Sequence, residues 1–326
     1  AQQIERKNGE AWRSFFALVK LKKKGHLPPH INRVRPPGYW KNRRTNKRKR
    51  IILIRCDLYR LDSNLLKLPK KMLVKWQGNP KWTKWTKQGL LTITYDEIKD
   101  KWYAHQPVEV QPPHQPLFDK RAYVDMGIIN LLTIVVEGNR QAIAYSGRPA
   151  LSDWWFLSKK IDKLKSLAKL MNQRESTLQV RRLFRSRRLR FRQYVRTIVR
   201  RAIHDLWTRG VAKIVLGDLT GILGNTRGGR KSNAMRHNFW SHQYLVNCVR
   251  EVAEEYGIAV ELVDERGTSS TCPRCCAQRI TRRGRLFKCL GCGLEAHRDT
   301  VGAVNIGVVF GGRVNGVVAH PVEVSI

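Results

Sequence analysis

The sequence predicts a small all-β segment followed by a larger α/β domain that carries a metal-binding insertion. Three observations support this. Short runs rich in Ile, Val, Thr and Tyr fill residues 51–110, a strand-helix-strand pattern covers residues 212–265, and two CxxC pairs separated by thirteen residues follow. At 326 residues the chain is longer than one ordinary domain. We therefore expect an α/β plus β architecture of several domains.

Charge restricts the class of partner. Lys and Arg number 63 against 25 Asp and Glu, a formal net charge of +38. Such an excess favours a nucleic-acid partner, because Lys and Arg contact phosphates. No apolar run is long enough for a transmembrane helix and no signal peptide is evident, so we expect no membrane partner. Cysteine usage favours a reducing cytosol, and Ala1 in place of Met predicts a missing N-terminal piece.

Residues 1–50 are predicted to form a helix followed by a basic block. Pro28-Pro29 and Pro36-Pro37 end the helical pattern, and the block from Lys41 to Arg50 holds seven cations. We interpret the block as a phosphate-contacting surface, although a solvated loop or a targeting signal has the same composition. The candidate nucleic-acid-binding residues here are Arg43, Arg44, Lys47 and Arg48.

Residues 51–118 form the β segment. Runs such as Ile51–Ile54, Met72–Trp76 and Leu90–Tyr95 alternate with turn residues, which is typical of a small antiparallel barrel. The proline-rich stretch Gln111–Pro116 closes this segment as a stiff linker.

Residues 119–268 form the α/β domain, interrupted by helices at about 153–208. Residues 181–201 contain ten arginines and no acid, interleaved with apolar residues at helical spacing. This predicts a helix whose apolar stripe packs while its arginines contact an external polyanion. The candidate contact residues are Arg181, Arg182, Arg185, Arg187, Arg188 and Arg192.

The CxxC pairs predict a zinc ribbon over residues 269–296. Each pair would hold one side of a tetrahedral ion, and four thiolates imply one structural Zn²⁺ rather than a catalytic one. Free buried cysteines or two disulfides are the alternative. The predicted ligands are Cys272, Cys275, Cys289 and Cys292. A closing helix over residues 297–312 and an irregular tail over residues 313–326 complete the chain.

Carboxylates at strand and helix ends predict a second kind of metal site. Asp125 ends one apolar strand, Glu265 ends another, and Asp299 begins the closing helix. Carboxylates brought together at a sheet edge bind hard cations such as Mg²⁺, and two ions about 4 Å apart suit phosphodiester cleavage. This is the arrangement of RNase H-like nucleases, although a loop cap is the simpler explanation for any single Asp.

The sequence resembles the TnpB family of transposon-encoded nucleases, which is related to the type V CRISPR effectors. The resemblance is carried by the run from Val124 to Leu131, by Gly217-Asp218-Leu219, by Thr268-Ser269 with the CxxC pairs, and by Arg298-Asp299 with Asn305-Ile306. It implies an RNase H-like RuvC domain with an inserted zinc ribbon, preceded by a wedge domain at 51–118 and a partial helical recognition lobe at 1–50.

The resemblance also implies an activity and partners. Such a protein binds an omega-type guide RNA from the transposon end and cuts matched double-stranded DNA beside a short adjacent motif, using Mg²⁺. The expected location is the cytoplasm of a bacterium or archaeon, near the nucleoid. A DNA-strand transposase is disfavoured, because no His-hydrophobe-His motif with a nucleophilic Tyr is present.

The chain departs from the family at the second acid. The family has Glu-Asp-Leu where this chain has Gly217-Asp218-Leu219. Asp218 is a poor substitute, because neighbouring strand residues point to opposite faces. Glu265 lies on the next strand, about 4.8 Å away, and its longer side chain could reach the same ion. We predict that Asp125, Glu265 and Asp299 form the catalytic set, with Asp218 as second choice for the middle acid. A nuclease-dead RNA-guided repressor is the alternative.

Overall fold

The computed structural model describes most of the chain. The described residues are 2–28, 31–38, 40–41, 48–62, 64–78, 80–139, 141–171, 176–218, 229–265, 267–311 and 321–325, without the side chains of 230, 231, 236 and 237. Arg43, Arg44 and Lys47 of the basic block lie outside the described residues, whereas Arg48 is described and exposed. The chain divides into two compact units, residues 1–111 and 112–326.

Among its described residues, the first unit has one helix and eight short strands. The helix α1 (Gln2–Lys23) has no buried residue. The strands are β1 (Ile51–Ile54), β2 (Arg60–Asp62), β3 (Leu65–Leu68), β4 (Met72–Lys75), β5 (Lys87–Gln88), β6 (Leu91–Asp96), β7 (Lys101–His105) and β8 (Val108–Glu109).

These strands form three separate antiparallel sheets, ordered β1-β6-β7, β2-β3-β4 and β5-β8. A small core of Tyr59, Leu66 and Leu91 lies between them. The antiparallel pairing matches the sequence prediction, but the closed barrel is not confirmed in the described residues. Closure needs a continuous, staggered ladder around the barrel, and sheets of two or three strands do not supply one.

The second unit is built on a six-stranded mixed sheet. Its strands are β9 (Lys120–Asp125), β10 (Asn130–Val136), β11 (Ile143–Ser146), β12 (Val211–Asp218), β13 (Ala259–Asp264) and β17 (Val322–Val324), in the order β13-β12-β9-β10-β11-β17. Strands β9, β12 and β13 run parallel, whereas β10 is antiparallel to β9 and β11. The carboxyl ends of β9, β12 and β13 therefore meet at one edge, as the predicted crossover requires.

Helices cover this sheet. They are α2 (Arg148–Leu170), α3 (Leu178–Thr208), α4 (Arg230–Ala234), α5 (His242–Glu255) and α6 (Arg298–Val309), with a π-helical turn at Met235–Phe239. Thr177 caps α3 by accepting a hydrogen bond from the Val180 N–H. The apolar stripe of α3, including Val195, Ile198 and Val199, is fully buried in the main core. None of the described helices is both long and apolar enough to span a bilayer.

The Cys-rich segment is inserted between β13 and α6. After a 3₁₀ turn at Thr268–Ser270, three short strands form an antiparallel sheet: β14 (Ile280–Arg283), β15 (Leu286–Cys289) and β16 (Glu295–His297). Gly284 has a φ of 57° at the β14-β15 turn, a conformation that favours glycine. Phe287 is fully buried among Cys272, Cys289 and Leu294. This small core depends on the cysteines as much as on apolar residues.

The C-terminal tail differs from the prediction. The sequence predicts an irregular tail over residues 313–326, yet β17 pairs in parallel with β11, Ile143 opposite Val322 and Tyr145 opposite Val324. Three residues are too short to stand out as a strand in a sequence. Their pairing depends on the free edge of β11, which only the assembled sheet provides.

Candidate active site and metal centre

Asp125 occupies the centre of the site. It is the last residue of β9, which lies between β12 and β10. Its carboxylate packs against Gly302 of α6, where a Cβ would lie 3.1 Å from the Asp125 Cγ. Burial, followed by the negative charges of Asp299 and Glu265, raises the pKa of Asp125 well above its ordinary value. Asp125 therefore lies close to both other predicted acids.

Asp299 lies in the first turn of α6 and is 6% exposed. Its Oδ2 accepts hydrogen bonds from Arg285 Nη1 at 2.6 Å and from Asn130 Nδ2 at 3.1 Å. Arg298 adds a third contact, from Nε to Oδ1 at 3.4 Å. A buried carboxylate is costly unless it is paired, and these donors compensate for its desolvation.

Glu265 follows β13 directly, and its carboxylate fills the space beside Gly217. A Cβ built on Gly217 would lie 1.9 Å from the Glu265 Oε2. That oxygen is buried and has no hydrogen-bond partner among the described residues. Burial, followed by the charges of Asp218 and Asp264, raises the pKa of Glu265 to about 7. The carboxylate thus lies next to the strand position at which the resemblance predicts a glutamate.

A cavity of about 760 Å³ opens beside the three carboxylates. Its lining also includes arginines, apolar side chains and hydroxyl groups, among them Arg285, Arg298, Met126, Trp240, Thr268 and Ser269. Asp218, which pairs in register with Asp264, does not line it. Carboxylate oxygens are the ligands that hard divalent cations prefer, and here three carboxylates line the same cavity.

The four predicted thiolates form a compact group. All their Sγ atoms lie within 4.8 Å of one another, with Cys272 and Cys292 3.6 Å apart and Cys275 and Cys289 3.6 Å apart. Zn–S bonds of about 2.3 Å in a tetrahedron place sulfurs about 3.8 Å apart, so the group fits a structural zinc ion. Within the described part of the chain, this is the one group of ligand atoms already assembled at metal-binding distances.

The arginines of α3 fall into two sets. Arg187 is half-buried, donates to Ser158 Oγ at 2.7 Å, and lies over the rings of Trp154 and Phe184. Burial lowers the pKa of Arg187. It therefore joins α3 to α2, and its predicted nucleic-acid contact competes with this packing. The exposed members of the predicted set are Arg181, Arg182, Arg188 and Arg192, whereas Arg185 is half-buried.

Residues 181–201 contain no acid, but some of their arginines pair with acids on the neighbouring helices α2 and α5. Arg190 pairs with Asp153 of α2 at 2.8 Å. Arg196 pairs with Glu251 and Arg200 with Glu255, both on or beside α5 and both at 3.1 Å. Part of the positive charge of α3 is thus compensated within the protein.

Sequence reasoning assigned no role to three residues of the site. Asn130 begins β10 and Arg285 lies in the turn before β15, and both donate to Asp299. Gly302 leaves room for the Asp125 carboxylate. Asn130 lies in the run from Val124 to Leu131, Arg285 in the predicted ribbon and Gly302 in the predicted closing helix. Their contacts with acids far away in the chain cannot be predicted without the fold.

Comparison with known proteins identifies the family. Residues 105–223 match the OrfB_IS605 model, described as "Probable transposase", and residues 242–306 match the model described as "Cas12f1-like, TNB domain". The TnpB-like protein ORF457 of Acidianus two-tailed virus is 33% identical over 335 aligned residues, covering 94% of this chain and 71% of that relative.

Two solved structures are also similar. One is the cryo-EM structure of a CRISPR-Cas12f ternary complex, with a TM-score of 0.49, 14% identity, and coverage of 68% of this chain and 45% of that chain. The other is the mini-RNA-guided endonuclease CRISPR-Cas_phi3, with a TM-score of 0.47, 15% identity, and coverage of 70% and 52%. The chain spans about half the length of these two structural relatives.

The molecule is a mixed α/β protein with an inserted four-cysteine segment. It belongs to the TnpB-like family, which confirms the resemblance predicted from the sequence.

Proposed function

We propose that this chain is an RNA-guided DNA endonuclease. It would bind an omega-type guide RNA from a transposon end and cut matched double-stranded DNA beside a short adjacent motif, by Mg²⁺-dependent hydrolysis. One observation supports this above the others. The Glu265 carboxylate lies in the space that a side chain at Gly217 would need, on the cavity that Asp125 and Asp299 also line.

The donor set fits magnesium. Asp125, Glu265 and Asp299 would hold two Mg²⁺ ions, and hard carboxylate oxygens are the ligands this cation takes. Among the described residues the Glu265 Oε2 has no hydrogen-bond partner, and the pKa of Asp125 is raised although Arg285 and Arg298 pair with Asp299, so a bound cation would compensate negative charge that the two arginines do not. Ions held there would lower the pKa of a bound water and stabilise charge on the leaving 3′ oxygen. Arg285 and Asn130 orient the Asp299 carboxylate by donating hydrogen bonds to its Oδ2.

The sheet order supports an RNase H-like, RuvC-type domain. Three antiparallel strands, β9 to β11, continue through β9 into the parallel strands β12 and β13. Within this proposal, residues 1–50 belong to a recognition lobe, 51–118 to a wedge domain, 119–268 to the nuclease domain, 269–296 to a target-nucleic-acid-binding zinc ribbon, and 297–312 to the closing helix.

Cleavage of a guide-matched DNA tests the proposal, with the adjacent motif supplied as a randomised library. Glu265→Gln, Asp125→Asn and Asp299→Asn should each abolish Mg²⁺-dependent cutting while guide RNA and target binding persist, because an amide keeps the shape but loses the charge. Asp218→Asn, the matched control, should be milder. Full activity of the Glu265→Gln protein would remove that residue from the mechanism.

A nuclease-dead RNA-guided repressor is the second candidate. The observation that favours it is Gly217 itself, which removes the acid that the resemblance leads one to expect. No cutting by the unmutated protein across the whole library, together with specific binding of a guide-matched target, would select the repressor.

A further inference from the structure

One side of α6 approaches all three acids of the cavity. Asp299 lies in its first turn, and Gly302, three residues later, packs on the Asp125 carboxylate. Asn305 follows after three more residues, and residues three or four apart share a side of an α-helix. The Asn305 side chain points toward the turn that follows Glu265.

Asn305 is 5% exposed, and its amide bridges two carbonyl groups. Nδ2 donates to the Thr268 carbonyl at 2.5 Å and to the Thr271 carbonyl at 2.8 Å. Thr268 begins the 3₁₀ turn that leads into the Cys-rich segment, and Thr271 follows its last residue. A buried carbonyl left without a donor is unfavourable, so the amide fixes this turn against α6.

Thr268 extends the link to Glu265. It is 6% exposed, its Oγ1 donates to the Glu265 carbonyl at 2.8 Å, and its N–H donates to the same oxygen at 3.1 Å. Glu265 lies one residue beyond β13, so the ladder of the sheet ends before it. Among the described hydrogen bonds, these two restrain its backbone.

We propose that Asn305 and Thr268 are positioning residues that hold the Glu265 carboxylate beside Gly217. This side of α6 then sets the spacing of all three acids. It carries Asp299, packs on Asp125, and restrains the turn that follows Glu265. This inference rests on the proposed function, in which Glu265 is a metal ligand. A glutamate that has moved to a strand end needs this restraint, because its side chain has three rotatable bonds and its backbone lies beyond the ladder of the sheet.

Thr268 provides a matched pair of substitutions. Thr268→Val keeps the shape and removes the hydroxyl donor, whereas Thr268→Ser keeps the donor. We expect Thr268→Val to raise the Mg²⁺ concentration for half-maximal cleavage about tenfold, because removal of a group that orients a metal ligand weakens metal binding by that order. Thr268→Ser should restore the wild-type requirement. Ser270→Ala, in the same turn, should leave it unchanged.

Further measurements separate positioning from folding. The melting temperature, the zinc content and target binding of Thr268→Val should match the wild type, and cleavage at saturating Mg²⁺ should recover substantially. If Thr268→Val does not fold, Asn305→Ser, which shortens the amide side chain without adding bulk, should raise the Mg²⁺ requirement in the same direction.

The outcomes distinguish this inference from the proposed function. An unchanged Mg²⁺ requirement in Thr268→Val, with Glu265→Gln inactive, overturns the inference and leaves the nuclease intact. If the wild type does not cut, the proposed function fails, and Mn²⁺ titration of the full chain, followed by electron paramagnetic resonance, becomes the readout. Weaker Mn²⁺ binding in Thr268→Val than in Thr268→Ser then supports the positioning role, and equal binding overturns it.

Discussion

At the scale of single residues, the absence of a side chain at position 217 matters as much as the presence of Glu265. The Glu265 Oε2 lies where any Cβ on residue 217 would have to be, and the Ile306 Cδ1 closes the same space at 2.9 Å. A side chain at position 217 would therefore have to displace the Glu265 carboxylate from its present position. Positions 217 and 265 are therefore coupled, because the Glu265 carboxylate lies in the space that a side chain at position 217 would fill.

Gly217→Ala tests this coupling with a single methyl group. We expect cleavage to fall at least about tenfold, because the methyl displaces Glu265 and a ligand moved by about 1 Å reduces the rate by that order or more. The control is Gly229→Ala, where, apart from its chain neighbours, no atom of the described residues lies within 4 Å of the new Cβ. Cleavage assays on both proteins decide, and equal activities would separate Gly217 from the placement of Glu265.

At the scale of elements, the Cys-rich segment connects the metal group to the active site. It enters through the turn next to Glu265 and leaves directly into α6, which begins at Arg298 beside Asp299. Its small core combines Cys272 and Cys289 with the apolar residues Phe287, Leu294, Ala296 and Val301. Loss of the ion would therefore disturb both ends of the segment, and with them two of the three acids.

Replacing Cys289 and Cys292 with Ser should release one equivalent of zinc and lower cleavage indirectly, because metal binding supplies the folding energy of such a segment. Cys276→Ser is the matched control, since Cys276 is exposed and outside the group of four thiolates. Metal analysis of proteins prepared without chelator measures the ion. Less than half an equivalent in the wild type would count against the zinc site.

The exposed and paired arginines of α3 allow a charge-matched comparison. Replacing Arg181, Arg182 and Arg188 with Ala should reduce the salt dependence of nucleic-acid binding, for matched and mismatched targets alike. The slope should fall by roughly one unit for each phosphate that the protein no longer neutralises. Replacing Arg190, Arg196 and Arg200 removes the same charge, but these three pair with acids. The second protein should therefore change less, and identical slopes would place Arg181, Arg182 and Arg188 away from the nucleic acid.

At the scale of the whole molecule, charge is distributed unevenly. The chain carries a net charge of +38, yet three of its acids face one cavity. The positive surface suits a polyanion, while the acids repel one another until a cation joins them. The stability of the protein should consequently depend on both pH and Mg²⁺.

The pKa values of Asp125 and Glu265 are both raised, so both groups make the stability fall as pH rises, and the contribution of Glu265 can be isolated. Its ordinary pKa is 4.5 and its folded pKa is about 7, so the folded state binds more protons between these values. The stabilising contribution is complete below pH 4.5 and is lost as pH rises through 7, by at most about 3 kcal/mol. Without divalent metal, the free energy of unfolding should fall from about pH 5.5 to about pH 8, and Mg²⁺ at the upper pH should raise it again.

Glu265→Gln is the control for this effect, because it removes the titrating group. Denaturant unfolding of both proteins, at matched pH and with or without Mg²⁺, measures the difference. An identical pH dependence in the two proteins would show that the Glu265 carboxylate is not held in the buried, partnerless state described above.

Local patterns predicted much of the architecture. The strand at Ile51–Ile54, the parallel crossover from β12 to β13 and the grouping of the four cysteines are each predicted from residues near one another in the chain, and the structure confirms them. The barrel was less predictable, since closure depends on how short strands meet. The prediction of an irregular tail was wrong at Val322–Val324, because β17 forms only by pairing with the edge of β11.

The sequence by itself determined the residue types of the site: three acids at strand and helix ends, four cysteines in two pairs, and an excess of arginine. Only the tertiary structure decided how they are arranged. It placed Glu265 in the space beside Gly217, paired Arg285 with Asp299, and turned Arg187 inward while leaving Arg188 exposed. The physical reason is that these contacts join residues on different elements of the chain or depend on which side of a helix is covered. Periodicity within α3 predicts which side packs on the core, but it does not show which residues of other elements that helix meets.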